Sequence, residues 1–247
     1  MKIAVAGGTG TIGRLTVDAV RELGHEPVVM SRGHGVDLID GTGLEAALEG
    51  ADSVIDTVNT NTLAEKASTE FFTIASGNLL AAAARHGIRH VVSLSIVGID
   101  RAPHGYYAGK LAQEQTIEGS SVPWSILRAT QFHEFAEQMF RQATLGPLHI
   151  APRARLQPVA GREVAGRLAE LAAGGARGRV PDVAGPREEK LDDMVKAFAR
   201  SIGYRGWVPS MNVPGAQMKS MRAGLVLPGS DAVLGTQTFT EWLVSRG

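Results

Sequence analysis

Tyr106 and Lys110 stand four residues apart, and Ser95 lies eleven residues before the tyrosine. On a helix, an i, i+4 pair shares one face. A tyrosine hydroxyl placed there can protonate a carbonyl oxygen as hydride arrives. A serine hydroxyl can hold the same oxygen, and a nearby ammonium can favour the phenolate. Tyr107 adjoins Tyr106, and the chain has only three tyrosines, so either of the two can be the proton donor. The same spacing also arises by chance, and a tyrosine on a helix is ordinarily packing. The catalytic reading therefore depends on what surrounds the pair.

Gly7, Gly10 and Gly13 supply that context. They form Gly-x-x-Gly-x-x-Gly directly after the apolar run Ile3 to Ala6. The run reads as a buried strand, and Thr11 to Leu23 reads as the helix that follows. A glycine turn between strand and helix lets the backbone approach a dinucleotide pyrophosphate, and the helix N-terminus offers free N–H groups. Val28 to Met30 supplies a second apolar strand. It ends in Ser31 and Arg32 with no carboxylate. A carboxylate there would bind a ribose 2′-OH and repel a 2′-phosphate. Arg32, with Arg14 as a second partner, can instead pair with that phosphate. The cofactor expected is NADP(H).

These groups need a scaffold, and the order of apolar segments describes one. A very short strand is expected around Val36 to Leu38, and a short helix from Leu44 to Leu48. Ser53 to Val58 reads as a fourth strand. Ala64 to His86 reads as a long helix with Phe71, Phe72, Ile74, Leu79 and Leu80 in the core. His90 to Leu94 is a fifth strand, Tyr106 to Glu118 a helix, and Trp124 to Arg128 a sixth strand. Such alternation predicts an α/β fold, a doubly wound (Rossmann) parallel sheet with helices on both faces. A core of residues 1–145 is followed by a small C-terminal region, 146–247, packed on the same domain. There Pro147, Pro152, Pro158, Pro181 and Pro186 punctuate short segments. Helices are expected at Arg162 to Ala173 and Leu191 to Ile202. The stretch from Pro209 to Gly229, with Met211, Met218 and Met221, reads as adaptable packing. This region is expected to cover the carboxyl ends of the strands, where ligands sit in open α/β sheets.

Composition narrows the function classes. The 247 residues are 44% hydrophobic, enough for one sizeable core. With 25 basic and 25 acidic residues, no charge surplus points to nucleic acid or an anionic membrane. Without cysteine there is no disulfide, thiolate metal site or cysteine nucleophile. No metal site is expected. No leader or spanning segment is read, so a cytoplasmic location is expected. Oligomeric state stays open, a homodimer included.

The motifs together resemble the atypical, NmrA-like branch of the short-chain dehydrogenase/reductases, including its NADPH-dependent quinone- and azo-reductase-like members. Those carrying the resemblance are Gly7-Gly8-Thr9-Gly10-Thr11-Ile12-Gly13-Arg14, Ser31-Arg32 and Ser93 through Gly98. Tyr106 through Lys110 and Pro123 through Arg128 complete the set. The resemblance implies that Asp37 meets the adenine, and that Thr57 and Asn59 line the ribose and nicotinamide. It implies that Ser95 is the serine after the fifth strand and that Lys110 binds the nicotinamide ribose. The backbone after Arg128 would meet the carboxamide. The chain departs from the family pattern in having Val36 where glycine is usual, a short segment from Arg32 to Asp37, and a shortened spacing from Ser95 to Tyr106.

The function expected is NADPH-dependent reduction of a small carbonyl or quinone by hydride transfer. Tyr106, Lys110 and Ser95 would be the catalytic residues. An NADP(H)-binding redox regulator of the NmrA type would keep the glycine turn and Arg32 without needing Tyr106. An epimerase or dehydratase is a third reading, disfavoured by the short C-terminal region. His133, after Thr130-Gln131-Phe132, reads as a cap or packing residue.

Overall fold

The computed structural model describes residues 1–146 and 148–246. Pro147 and Gly247 lie outside the described residues. Strand β1 (Lys2–Ala6) leads through the glycine turn into helix α1 (Thr11–Glu22). Then come β2 (Glu26–Met30), α2 (Leu44–Leu48), β3 (Ser53–Asp56) and α3 (Glu65–Arg85). Strand β4 (Val91–Ile96), α4 (Tyr106–Glu118) and β5 (Trp124–Ala129) complete the alternating half. All five strands run parallel in the order β5-β4-β3-β1-β2.

The chain leaves β1 to one side to form β2, then returns to form β3 on the other. The crevice between β1 and β3 at their carboxyl ends is thus the switch point where such sheets bind ligands. Alternation within β1 explains the layering. Ile3 and Val5 pack with Val17 and Val20 of α1, Ile55, and Leu168 of the later helix α6 (Gly161–Ala173). Ala4 and Ala6 face Leu44, Leu79 and Ile117 on the other side. With both faces covered, β1 must be apolar throughout.

The expected strand at Val36 to Leu38 is absent. Arg32–His34 is a 3₁₀ turn, and the chain after it folds back on itself. Asp37 donates its N–H to the Thr42 carbonyl, and Gly41 donates to the Asp37 carbonyl, each at 2.9 Å. A Cβ on Gly43 would stand 2.2 Å from the Gly35 carbonyl oxygen, so the loop doubles back too tightly to run as an edge strand. Val36 and Leu38 are buried all the same, which is why they imitate a strand. The strand expected over 53–58 stops at Asp56, whose carboxylate accepts the Val58 N–H. Ile74 is exposed rather than core, and Phe71 is half-buried. Ile74 lies two residues past Phe72, about 200° round the helix from the buried stripe.

Past residue 146 the chain extends the core as well as covering it. Helix α6 packs beside α1. The two-residue strands Val183–Ala184 and Val233–Leu234 continue the sheet beyond β5. A third core unites Tyr107 and Ile99 with α5 (Phe135–Gln142), α7 (Leu191–Ser201) and α9 (Phe239–Ser245). A short helix α8 (Ala216–Arg222) carries the buried Met221 within this third core. Met211 is exposed instead. His133 is packing, as expected: it is buried against the Phe239 and Trp242 rings, and its Nε2 lies 3.1 Å from the Gln237 carbonyl. Among the described residues, no helix is long and apolar enough to cross a membrane.

Candidate active site

The glycine turn closes the carboxyl end of β1. Gly7 and Gly8 both donate to the Met30 carbonyl, at 3.0 and 3.2 Å. This bond ties the turn to the end of β2, with Ser31 and Arg32 next in the chain. The three motif glycines serve different ends. Gly7 has φ 73°, and a Cβ there would lie 2.8 Å from the Thr57 carbonyl oxygen. A Cβ on Gly13 would lie 2.0 Å from the Gly7 carbonyl oxygen. Packing alone therefore excludes side chains at both positions.

Gly10 is different. Its φ and ψ of −71° and 176° suit any residue, and a Cβ would meet only the Gly7 carbonyl oxygen, at 3.2 Å. Gly10 is exposed and caps α1 with no side-chain hydrogen bond. The first-turn N–H groups of an α-helix have no intrahelical acceptor. Here the Thr11, Ile12 and Gly13 N–H groups have no backbone acceptor among the described residues, and Gly10 before them is kept bare without need from the fold. That arrangement fits a pyrophosphate. Thr9 and Thr11 are exposed beside it, whereas Ile12 is buried in the core below.

Arg14 and Arg32 are exposed, and neither has an ion-pair partner among the described residues. Ser31 Oγ lies 2.9 Å from His34 Nδ1, which steadies the 3₁₀ turn carrying Arg32. The region can thus receive a second phosphate. Asp37 uses one carboxylate oxygen to accept the Ile39 N–H at 2.8 Å, the turn role alternative to an adenine contact. Thr57 donates its hydroxyl to the Ala6 carbonyl at 2.7 Å, closing the floor of the crevice between β1 and β3.

Tyr106 opens α4. Its hydroxyl donates to Asn59 Oδ1 at 2.7 Å. Its ring meets Phe72 and Tyr107 edge-on, with centroids 5.6 and 6.1 Å away. Tyr107 is buried in the third core, and its hydroxyl accepts from Gln131 Nε2 at 3.1 Å. Of the two tyrosines, Tyr106 is the one joined to the residues after β3. Burial pushes the Tyr106 phenol well above its ordinary value, and Tyr107 and Asp56 add to this. The sequence led us to expect that the Lys110 ammonium would favour the phenolate. The ammonium instead points inward. It donates to the Leu94 carbonyl at 2.7 Å and to Gln113, and lies 4.8 Å from the centre of the Phe72 ring. Burial lowers the Lys110 pKa to about 8, against the opposing pull of Asp56 and Glu114.

Ser95 is not gathered with Tyr106. It lies within β4, buried beside Glu114. Glu114 is eight residues beyond Tyr106 on α4, ~12 Å along the axis. Glu114 takes two bonds from Arg128, at 2.8 and 2.7 Å, and a further contact from Arg179 at 2.8 Å. Burial raises its carboxyl, but Arg128, Ser95 and Arg179 together carry it below the usual range.

Sequence reasoning did not foresee this buried polar layer. Its signal was present: Lys110, Gln113, Glu114 and Ile117 follow the i, i+3, i+4, i+7 spacing of a core-facing stripe, with polar residues at three of the four positions. His86 and His90 also have i, i+4 ligand spacing, but one follows α3 and the other precedes β4. They engage Glu45 and Ser125 respectively. Among the described residues, no cluster of three or more ligand-type side chains could hold a metal ion.

The profile of the NAD(P)H-binding family matches residues 7–149, more than half of the chain, and the protein belongs to that family. A curated relative is the (4-alkanoyl-5-oxo-2,5-dihydrofuran-3-yl)methyl phosphate reductase of Streptomyces griseus subsp. griseus. It is 28% identical over 221 residues, covering 81% of this chain and 74% of the relative. Among solved structures, the NADPH-dependent quinone oxidoreductase of Escherichia coli in complex with NADPH matches with a TM-score of 0.73, at 16% identity over 99% of each chain. The UDP-N-acetylglucosamine 4-epimerase of Bacillus cereus matches with a TM-score of 0.69, at 18% identity over 100% of this chain and 97% of its own. At these identities the structures establish the fold, which reductases and epimerases share.

Proposed function

We propose that the protein is an NADPH-dependent oxidoreductase that reduces a small carbonyl or quinone. The observation that carries the reading is the Tyr106 hydroxyl on Asn59, 2.7 Å apart, set where the crevice between β1 and β3 opens. NADPH, when bound, supplies the hydride. The first turn of α1 would hold its pyrophosphate, and Arg32 with Arg14 its 2′-phosphate.

The remaining steps belong to the chain. Asn59 accepts the Tyr106 hydrogen bond and so fixes where the phenol points. A phenol held above its ordinary pKa stays protonated at neutral pH, the form a proton donor needs. As a substrate oxygen gains negative charge it becomes a stronger base than Asn59 Oδ1, and the proton moves from Tyr106 Oη to that oxygen. The phenolate left behind is disfavoured by burial. The Lys110 ammonium, one turn along α4 and turned inward to the Leu94 carbonyl, would offset it through space rather than by a hydrogen bond.

The relative's name describes an unsaturated lactone bearing an alkanoyl group, and the solved neighbour's describes a quinone. Both support an electron-poor, conjugated carbonyl as the substrate class. The test is loss of the nicotinamide absorbance of NADPH when purified protein meets a panel of quinones, enones, ketones and aldehydes. Saturable oxidation with at least one class is expected. NADPH binding with no oxidation by any, joined to a changed association with a partner protein, would favour the redox-regulator reading instead.

A further inference from the structure

Asp56, Lys110, Gln113 and Glu114 are polar where the fold offers only core, at 1, 4, 0 and 1% exposure. Glu114 is matched by two guanidinium groups. Asp56 has no arginine. Its Oδ2 accepts from Gln113 Nε2 at 2.8 Å, and Gln113 Oε1 accepts from the Lys110 ammonium. The direction of this chain is fixed by chemistry. A carboxylate only accepts and an ammonium only donates, so the amide between them fits in one orientation. The other carboxylate oxygen, Oδ1, accepts the Val58 N–H at 3.0 Å. The next residue is Asn59, the partner of Tyr106.

We propose that Asp56 is a positioning residue for the reaction: through Gln113 it holds the Lys110 ammonium in place below Tyr106, and through Val58 it sets the segment whose Asn59 holds the Tyr106 hydroxyl. The proposal rests on the reductase reading. Asp56 touches no solvent and needs no contact with substrate. A buried, separated ion pair is a poor source of stability, since apolar residues often serve as well or better. Here it does what apolar residues cannot: it fixes the direction of two hydrogen bonds and supplies a counter-charge.

The groups facing Lys110 are few. Its own helix offers Gln113 and Glu114, α3 the Phe72 ring, β4 the Leu94 carbonyl and β3 Asp56. Asp56 and Glu114 are the two carboxylates that hold its pKa up against burial. Because arginines already match Glu114, Asp56 is the carboxylate left to balance the ammonium.

Asp56→Asn tests this. The asparagine oxygen can still receive the Val58 N–H, but its amide nitrogen then faces Gln113 Nε2, donor to donor. Turning Gln113 moves the mismatch to Lys110. The Lys110 titration is read by NMR of 13Cε-labelled lysines in the intact protein, assigned with Lys110→Arg. Its midpoint is expected to fall by about one pH unit or more in Asp56→Asn. The alkaline limb of kcat should fall with it, with a smaller change in the KM for NADPH. Asp56→Glu should move the midpoint back. If Asp56→Asn does not fold, Gln113→Met carries the test: it keeps the volume but cuts the link from Asp56 to the ammonium, and should lower the midpoint. An unmoved Lys110 midpoint, or an equal loss of activity at every pH, overturns the proposal. The titration needs no turnover, so it separates this claim from the reductase reading. Wild-type protein that oxidises no NADPH would overturn that reading and, with it, the catalytic purpose of the positioning.

Discussion

Gly10→Val separates the needs of the fold from the needs of a ligand. Gly10 is already in an extended conformation, so valine adopts it without strain. The new Cβ meets one atom, the Gly7 carbonyl oxygen at 3.2 Å, and the γ-methyls of an exposed residue reach into solvent. A few tenths of an ångström of adjustment is offset by the ~0.4–1 kcal/mol gained when a glycine leaves the unfolded ensemble. Net stability should therefore stay within about 1 kcal/mol of wild type. The methyls occupy the space above the first turn of α1, where a pyrophosphate would stand. NADPH affinity should fall at least about 100-fold, the loss of two or more charge-assisted N–H bonds. Gly13→Ala is the contrast. Its Cβ would stand 2.0 Å from the Gly7 carbonyl oxygen, so it should lose stability and binding together. Thermal unfolding and a fluorescence titration of NADPH read both quantities. A folded Gly10→Val protein that binds NADPH like wild type would refute the reasoning.

Other expectations follow from the same geometry. Arg32→Ala should weaken NADPH binding by roughly 10- to 100-fold and leave NADH binding unchanged, as one charged contact to the 2′-phosphate is lost; equal wild-type affinities for the two cofactors would count against it. Tyr106→Phe should lower turnover about 10²–10⁴-fold while sparing NADPH affinity. Tyr107→Phe, in the third core, should cost stability more than turnover, and the reverse pattern would move the proton donor by one residue. Glu114→Gln should cost about 3 kcal/mol, because it leaves Arg128 half-buried with a weaker partner. The Glu114 carboxyl sits below its ordinary value, so its contribution is full above the unfolded pKa near 4.5 and is lost as pH falls through the lower folded value. Chemical denaturation of the pair of proteins from neutral to acid pH should show that loss in wild type and not in the variant.

The alternating half of the fold was legible because the inner strands β1, β3 and β4 are buried almost throughout and most of its helices are bounded by glycine. The segment from Val36 to Leu38 misled for a physical reason. Burial of two apolar residues across a turn has the same sequence appearance as a short strand, and the left-handed glycines that coil it act through backbone geometry rather than pattern. Helix α9 escaped notice although its start carries a readable signal. Thr238 and Glu241 form a reciprocal capping box, with the Thr238 N–H and the Glu241 carboxylate 2.8 Å apart. At the candidate site, the glycine turn and the absence of an acid after β2 were visible as residue types. The bond from Tyr106 to Asn59 was not, since it joins residues 47 apart in the chain. Nor was the inward course of Lys110. Its spacing from Tyr106 fixes a shared helix face but not whether the ammonium turns along the surface or into the sheet.

Transfer of deuterium from NADPH labelled at nicotinamide C4 tests the central claim most directly. Each of the two stereospecifically labelled cofactors would be incubated with the protein and a conjugated carbonyl or quinone that it turns over, and the product weighed by mass spectrometry. The account predicts one deuterium in the carbon-bound product from one labelled face only or, for a quinol whose label exchanges, stoichiometric quinol with deuterium lost from the nicotinamide for one labelled face only. In both cases Tyr106→Phe should slow the transfer without weakening NADPH binding. Tight NADPH binding with no label transfer and no quinol from any substrate class would contradict it.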